Sequence, residues 1–237
     1  MINMDLNERI KELALQNGVT YFGVADLSKA KQAILSQGGL EIASFPYSIS
    51  LGIPLTNHIV DQLPRRSERS VALNYSHHGT DVINQRLDIV ASVVSGFIQQ
   101  QGHTVLPIPA SKRIDDERIC AAFSHKMGAS LSGLGWIGKS CLLITPDSGP
   151  RVRWASILTD APIEPTGQLM EEQCGDCSAC VDICPMKTFT GKPFHEEEPR
   201  EVRYDAKKCD KYFEKMKAKG QIDVCGMCLY VCPYGRK

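Results

Sequence analysis

The chain has 237 residues, its 27 Lys and Arg are balanced by 27 Asp and Glu, and it carries ten cysteines. A formal charge of zero argues against a dedicated nucleic-acid binder, although a neutral total says nothing about a local patch. No apolar run reaches the roughly 20 residues that a membrane-spanning helix needs, and the length suits one sizeable domain with a smaller one.

The opening stretch, MINMDLNERIKELALQNG, reads as a helix. Asp5 can cap it with Glu8 three residues on, Leu6, Ile10 and Leu13 share a face, and Gly18 closes it. Charges recur too often for the apolar core of a signal peptide. VTYFGVAD (19–26) has the β-branched and aromatic content of a strand, and YSISLGIPL (47–55) and SVALNYS (70–76) are two further strand candidates. Between 81 and 100 the spacing of Ile83, Leu87, Val90, Val94 and Phe97 is helical. HTVLPIPAS (103–111) returns to strand character, and 117–132 reads as an amphipathic helix ending near Gly133. The run 140–160 reads as a hairpin turning over Pro146, Asp147, Ser148, Gly149 and Pro150, and APIEPTGQ (161–168) as a linker. This alternation of strands and helices gives an α/β (α+β) class, with one domain over 1–165 and a second over 166–237.

The second domain is defined by cysteines. CGDCSACVDICP places Cys174, Cys177, Cys180 and Cys184 at gaps of two, two and three residues, with Pro185 following. Three thiolates on one tight loop can reach three corners of a cubane cluster, while the fourth is carried toward a second cluster. Cys209 and then CGMCLYVCP, with Cys225, Cys228 and Cys232 ahead of Pro233, complete a set of eight. Two [4Fe–4S] clusters need eight thiolates. By the crossing pattern of two-cluster ferredoxins, Cys174, Cys177, Cys180 and Cys232 hold one cluster, and Cys184, Cys209, Cys225 and Cys228 the other. Zinc sites more often use two well-separated CxxC pairs, and a disulfide framework belongs to exported chains. Ten cysteines without an export signal point to a reducing compartment, so a cytoplasmic protein free of the membrane is expected. Cys120 and Cys141 belong to no motif and read as buried apolar filler.

Ahead of the cysteines no P-loop, GxGxxG, HExxH or nucleophile-elbow motif occurs. Gly133, Gly135 and Gly138 cluster around Trp136, followed by Lys139, where backbone can approach a ligand or turn sharply. His77–His78 lacks a third ligand and is not expected to bind metal. Trp154 and Tyr75 read as packing residues, and HEEEPREVR (195–203) as a solvated loop.

GLGWIGK, the following LLIT and GP, ILTDAPI, and the paired CxxCxxCxxxCP and C…CxxCxxxCP patterns together resemble the epoxyqueuosine reductases, corrinoid-dependent iron–sulfur enzymes related in architecture to reductive dehalogenases. The resemblance is firm from about residue 120 to 234. It implies a nitroreductase-like α/β domain holding base-off cobalamin, followed by a ferredoxin-like module with two [4Fe–4S] clusters. Gly133, Gly135, Trp136, Gly138 and Lys139 would line the cofactor pocket. Electrons from a low-potential donor of ferredoxin or flavodoxin type would pass through clusters near roughly −400 mV to the corrinoid, and on to a small-molecule or modified-nucleoside substrate.

The resemblance also implies a proton-donating acid upstream of GLGW. Ungapped counting reaches Ile119 and Cys120, so Asp115, Asp116 or His125 is expected to serve, the last with an unperturbed pKa near 6.5. Family members continue into a helical-repeat domain that grips tRNA, whereas this sequence ends at Lys237. A tRNA substrate is accordingly ranked below two other readings: a corrinoid-dependent reductase, and an electron-transfer or corrinoid-reducing partner of another enzyme.

Overall fold

A computed structural model describes residues 5–236. In chain order come α1 (Leu6–Gln16), β1 (Tyr21–Asp26), α2 (Lys31–Ser44), β2 (Tyr47–Pro54), α3 (Asn57–Asp61), α4 (Arg69–Ser76), α5 (Ile83–Gln100), β3 (Val105–Ile108), α6 (His125–Leu131), β4 (Trp136–Ile137), β5 (Leu143–Ile144), β6 (Val152–Thr159), α7 (Ala179–Ile183), α8 (Ala206–Ala218) and α9 (Met227–Val231). They form two compact units that interleave along the sequence. One takes the described residues up to Ile53 with Asn84–Leu134 and Arg153–Met170; the other takes Pro54–Ile83, Gly135–Val152 and the residues from Glu171 onward. The boundary expected near residue 165 therefore does not capture how the two units exchange segments.

The first unit is built on a sheet of order β1-β2-β6-β3. β1 and β2 are antiparallel, with Tyr21 opposite Gly52 and Asp26 opposite Tyr47. β3 and β6 are antiparallel, with Val105 opposite Thr159. β2 and β6 lie inside the sheet and are buried along most of their length, which is why both read as nearly unbroken apolar runs. Ala25, Leu27, Ile34, Ile42, Phe123 and Leu158 form a core beside them. Trp154 packs over Gly52, where an added Cβ would lie 2.6 Å from its ring, and Tyr21 stands 5.7 Å from the same ring. The segment 161–168 is no free linker. Thr166 bonds Val24 through its backbone N–H at 3.0 Å and its hydroxyl oxygen at 2.9 Å, and Asn7 brackets Glu164 from both sides.

The second unit gathers α3, α4, the two-stranded β4–β5 ladder and the cysteine segments with α7, α8 and α9. The sequence expectations need three corrections. Residues 69–76 are helical: Val71, Ala72 and Tyr75 are buried while Leu73 is exposed, a helical spacing that β-branched content disguised. The 140–160 run does not form one hairpin. Leu143–Ile144 pairs back with Trp136–Ile137, and β6 leaves for the large sheet. The turn itself exists, closed by reciprocal backbone bonds between Thr145 and Gly149. In the first unit, helix 117–132 shrinks to His125–Leu131, because Ile114 and Asp115 turn back on Cys120, with Ile119 at a φ of 52°. Neither α2 nor α3 was anticipated. Asp5 takes the N-cap position of α1 without a side-chain capping bond.

Candidate functional site

The two cysteine groups fold alike. Cys180 lies in α7 and Cys228 in α9, and each short helix ends on the next cysteine. Cys184 (φ −64°, ψ 117°) and Cys232 (φ −63°, ψ 123°) are both extended, because a following proline clashes with helical geometry in the residue before it. Gly226 ahead of α9 has a φ of 66° and Gly175 a φ of 48°, the left-handed turn that brings successive thiols to one side. Cys184 is buried and receives the N–H of Thr188 at 3.4 Å, with the Thr188 hydroxyl at 3.2 Å.

The thiols influence one another in two sets. Burial, then the negative charges of Cys174, Cys232 and Cys177, push the Cys180 thiol up to about 11. Burial raises Cys232 too, with Cys177 the neighbouring thiol. In the other set, burial raises Cys209 alongside Cys225 and Cys184, and it raises Cys228 strongly alongside Cys225, Cys209, Cys180 and Cys184. The last cysteine of each group thus lies near thiols of the other group. Thiols gathered this way resist ionising unless positive charge is supplied, and iron supplies it. Among the described residues, no three His, Cys, Asp or Glu side chains converge as they would on a single ion. The all-sulfur donor set fits iron–sulfur chemistry.

The glycine-rich stretch divides between the units. Gly133, with a φ of 77°, belongs to the first, where an added Cβ would lie 2.9 Å from the backbone of Gln168. Gly135, Trp136, Gly138 and Lys139 belong to the second and pack around the Cys174 turn. A side chain at Gly135 would collide with the Ile144 carbonyl, and one at Gly138 would lie 3.2 Å from the Cys174 sulfur. Lys139 Nζ donates to the Gly175 carbonyl and to the Cys177 carbonyl at 3.2 Å, clamping the turn. Trp136 is only 1% exposed and meets Tyr234 edge-on at 4.8 Å. Its indole N–H is buried without a conventional acceptor among the described residues, yet it lies close enough to favour the Cys174 thiolate. Burial and then Glu172 still carry the Cys174 thiol up to about 11, against the opposing pull of the Lys139 backbone and Trp136. A buried donor and a cradle with no room for Cβ atoms are features that a sulfur-rich group would use.

Arg151 was not singled out from sequence. Its side chain is 2% exposed and is held by Asn57 Oδ1 at 3.0 Å, Asp61 Oδ1 at 2.8 Å and the Tyr230 carbonyl at 3.4 Å. Its charge favours the Cys232 thiolate. Arg66 plays the same part for Cys225, with Nη1 3.1 Å from Met227 Sδ and Nη2 3.4 Å from the Tyr212 hydroxyl. Each quartet therefore has one arginine beside it. No sequence motif marks these two, because the pairing is made by the fold.

The candidate proton donors all lie in the first unit. Asp115 accepts the Arg118 N–H at 2.8 Å inside the turn, and Asp116 is exposed. His125 is engaged at both ring nitrogens, Nδ1 with the Ser156 hydroxyl at 2.9 Å and Nε2 with the Pro109 carbonyl at 3.1 Å. A carbonyl can only accept, so Nε2 carries the proton. Burial lowers the His125 pKa below 6.5, partly offset by Pro109 and Asp88, and keeps the ring neutral. It is a poorly placed acid. Cys141 is buried as expected, Cys120 only partly, and His77 and His78 are exposed. In 195–203, Arg203 is buried over the Phe194 ring, so that loop is not wholly solvated. Among the described residues no helix is long and apolar enough to cross a membrane.

Comparison with known proteins gives a consistent result. Residues 173–235 match the family described as a 4Fe-4S double cluster binding domain. An epoxyqueuosine reductase of Pseudomonas aeruginosa is 33% identical over 124 residues, covering 47% of this chain and 32% of that protein; the match thus spans about a third of the relative's length. Among solved structures, a reductive dehalogenase reported with a mechanism for B12-dependent dehalogenation aligns over 97% of this chain and 32% of its own, at 18% identity and a TM-score of 0.71. An epoxyqueuosine reductase with an epoxyqueuosine-modified tRNA-Tyr stem loop aligns over 98% of this chain and 65% of its own, at 18% identity and a TM-score of 0.60. Residues 173–235 thus match a 4Fe-4S double cluster binding domain, within a chain that resembles the epoxyqueuosine reductases in sequence and has the fold they share with reductive dehalogenases.

Proposed function

We propose that this chain is an iron–sulfur reductase that draws electrons through two [4Fe–4S] clusters and delivers them to a corrinoid. Cys174, Cys177, Cys180 and Cys232 hold one cluster; Cys184, Cys209, Cys225 and Cys228 hold the other. The observation that carries the reading is the pair of cysteine motifs within residues 173–235, the stretch that matches a 4Fe-4S double cluster domain, each motif ending on an extended pre-proline cysteine. Gly135, Trp136, Gly138 and Lys139 then serve the first cluster, as its wall and its hydrogen-bond donors. A bound corrinoid would supply the low-potential cobalt for reducing an organic substrate. The fold shared with a protein named for B12-dependent dehalogenation supports that part, with the first unit as the nitroreductase-like portion. Asp115 and Asp116 lie on an accessible turn and are the better candidates for delivering a proton; His125 is committed to Ser156 and Pro109.

A modified nucleoside in tRNA is the substrate favoured by the sequence similarity to epoxyqueuosine reductases. Cluster-loaded protein with cobalamin and a chemical reductant should consume an epoxyqueuosine-containing anticodon stem–loop, or a small organic acceptor, catalytically. Cobalamin reduction without consumption of any acceptor would leave a corrinoid-reducing partner protein instead.

A further inference from the structure

The chain is neutral overall, yet one surface of the second unit is strongly basic. α8 carries Lys207, Lys211 and Lys215 at four-residue spacing, and Lys219 follows at its C-cap. At about 100° per residue these fall along one side of the helix, and all four are exposed. Lys208 lies on the same side and pairs with Asp205 at 3.6 Å. Asp210 and Glu214 flank the stripe without interrupting it. Like charges four apart destabilise the helix that carries them, so nothing in the folding of α8 calls for this arrangement.

The opposite edge of the stripe meets a cavity of about 320 Å³, bordered by Arg66, Ser67, Arg69, Tyr212, Met216 and Gln221 among others. Arg69 is exposed, and Arg66 links the cavity to the second thiol quartet through Met227 and Cys225. Cys209, a member of that quartet, is itself a residue of α8, three positions before Tyr212. The basic surface is thus the outer face of the element that holds one cluster.

We infer that this surface, α8 with Arg66 and Arg69, is the docking site for an acidic, one-electron carrier protein of low potential, and that electrons enter through the cluster of Cys184, Cys209, Cys225 and Cys228. The inference rests on the two-cluster reading above. In each encounter one reduced carrier is oxidised by one electron and the cluster is reduced by one, with no bond made; two encounters supply a two-electron reduction, whose protons pass through Asp115 or Asp116 and are replaced from solvent. Charge complementarity is the argument for the partner. It speeds encounter and orients it, and electron transfer needs the carrier's redox centre brought close to the cluster. RNA is also a polyanion, but an RNA site gains nothing from lying on a cluster-bearing helix.

The test uses the full chain with clusters reconstituted and a reduced, acidic [2Fe–2S] ferredoxin as probe, mixed anaerobically in a stopped-flow instrument. From about 10 to about 100 mM salt, where the Debye length falls from roughly 30 to 10 Å, the second-order rate should drop steeply. The combined variant K207Q/K211Q/K215Q should slow it about tenfold at low salt, while reduction by dithionite is unchanged. A rate indifferent to salt, or equal in wild type and variant, overturns the inference. So does a variant that loses affinity for an anticodon stem–loop while keeping its ferredoxin rate. Failure of dithionite to produce [4Fe–4S] signals in the wild type would instead overturn the two-cluster reading itself.

Discussion

Trp136 holds a buried indole N–H beside the Cys174 sulfur, and this single donor has a direct redox consequence. Hydrogen bonds to cluster sulfurs stabilise the more negative, reduced state and raise the potential. Trp136→Phe keeps the ring against Tyr234 and removes the donor. If the bond is worth about 1 kcal/mol more to the reduced cluster, potentiometric titration followed by electron paramagnetic resonance should show one cluster shifted down by about 40 mV and the other unmoved. His125 makes a different statement, about stability. Its folded pKa is lowered by burial, so between that value and 6.5 the unfolded chain binds more protons. The stability it contributes is complete above about pH 6.5 and is lost as the pH falls through the folded value. His125→Gln should flatten the acid limb of the melting temperature relative to wild type; an identical limb would show that the ring titrates freely.

The β4–β5 ladder is only two residues long on each strand, yet it forms the wall of the Cys174 turn. Its weak point is Gly135, whose missing Cβ makes room for the Ile144 carbonyl. Gly135→Ala cannot be absorbed by a rotamer change, because the obstacle is backbone. A cost of about 1 to 3 kcal/mol is expected, with iron content falling preferentially at one cluster; unchanged iron and melting temperature would contradict the packing. This element also shows where sequence reading works and where it stops. The eight cysteines, α5 and three strands were legible, because ligand spacing and apolar period are local signals. The close packing of the glycines was not: from Gly135 on they crowd against Ile144 and Cys174, partners that only the fold supplies. α4 was misread because Val71 and Tyr75, four residues apart, share a face in either period over so short a run. Arg151 and Arg66 became visible only when distant segments met.

Across the molecule, the interleaving of the two units ties the cysteine segments to residues 54–83 and 135–152, which carry both arginines and the glycine wall. The ferredoxin motif is therefore not an appendage with its own closed environment. Much of what surrounds the thiols comes from far earlier in the chain, so a fragment covering only the cysteine motifs lacks Trp136, Lys139, Arg151 and Arg66. The central claim is that this arrangement feeds a corrinoid. Its most direct test is anaerobic titration of the cluster-loaded protein with cob(II)alamin, read by electron paramagnetic resonance. Loss of the nitrogen superhyperfine splitting on cobalt, showing the lower base displaced on binding, is the predicted result. A spectrum identical to that of free cob(II)alamin throughout the titration would contradict it.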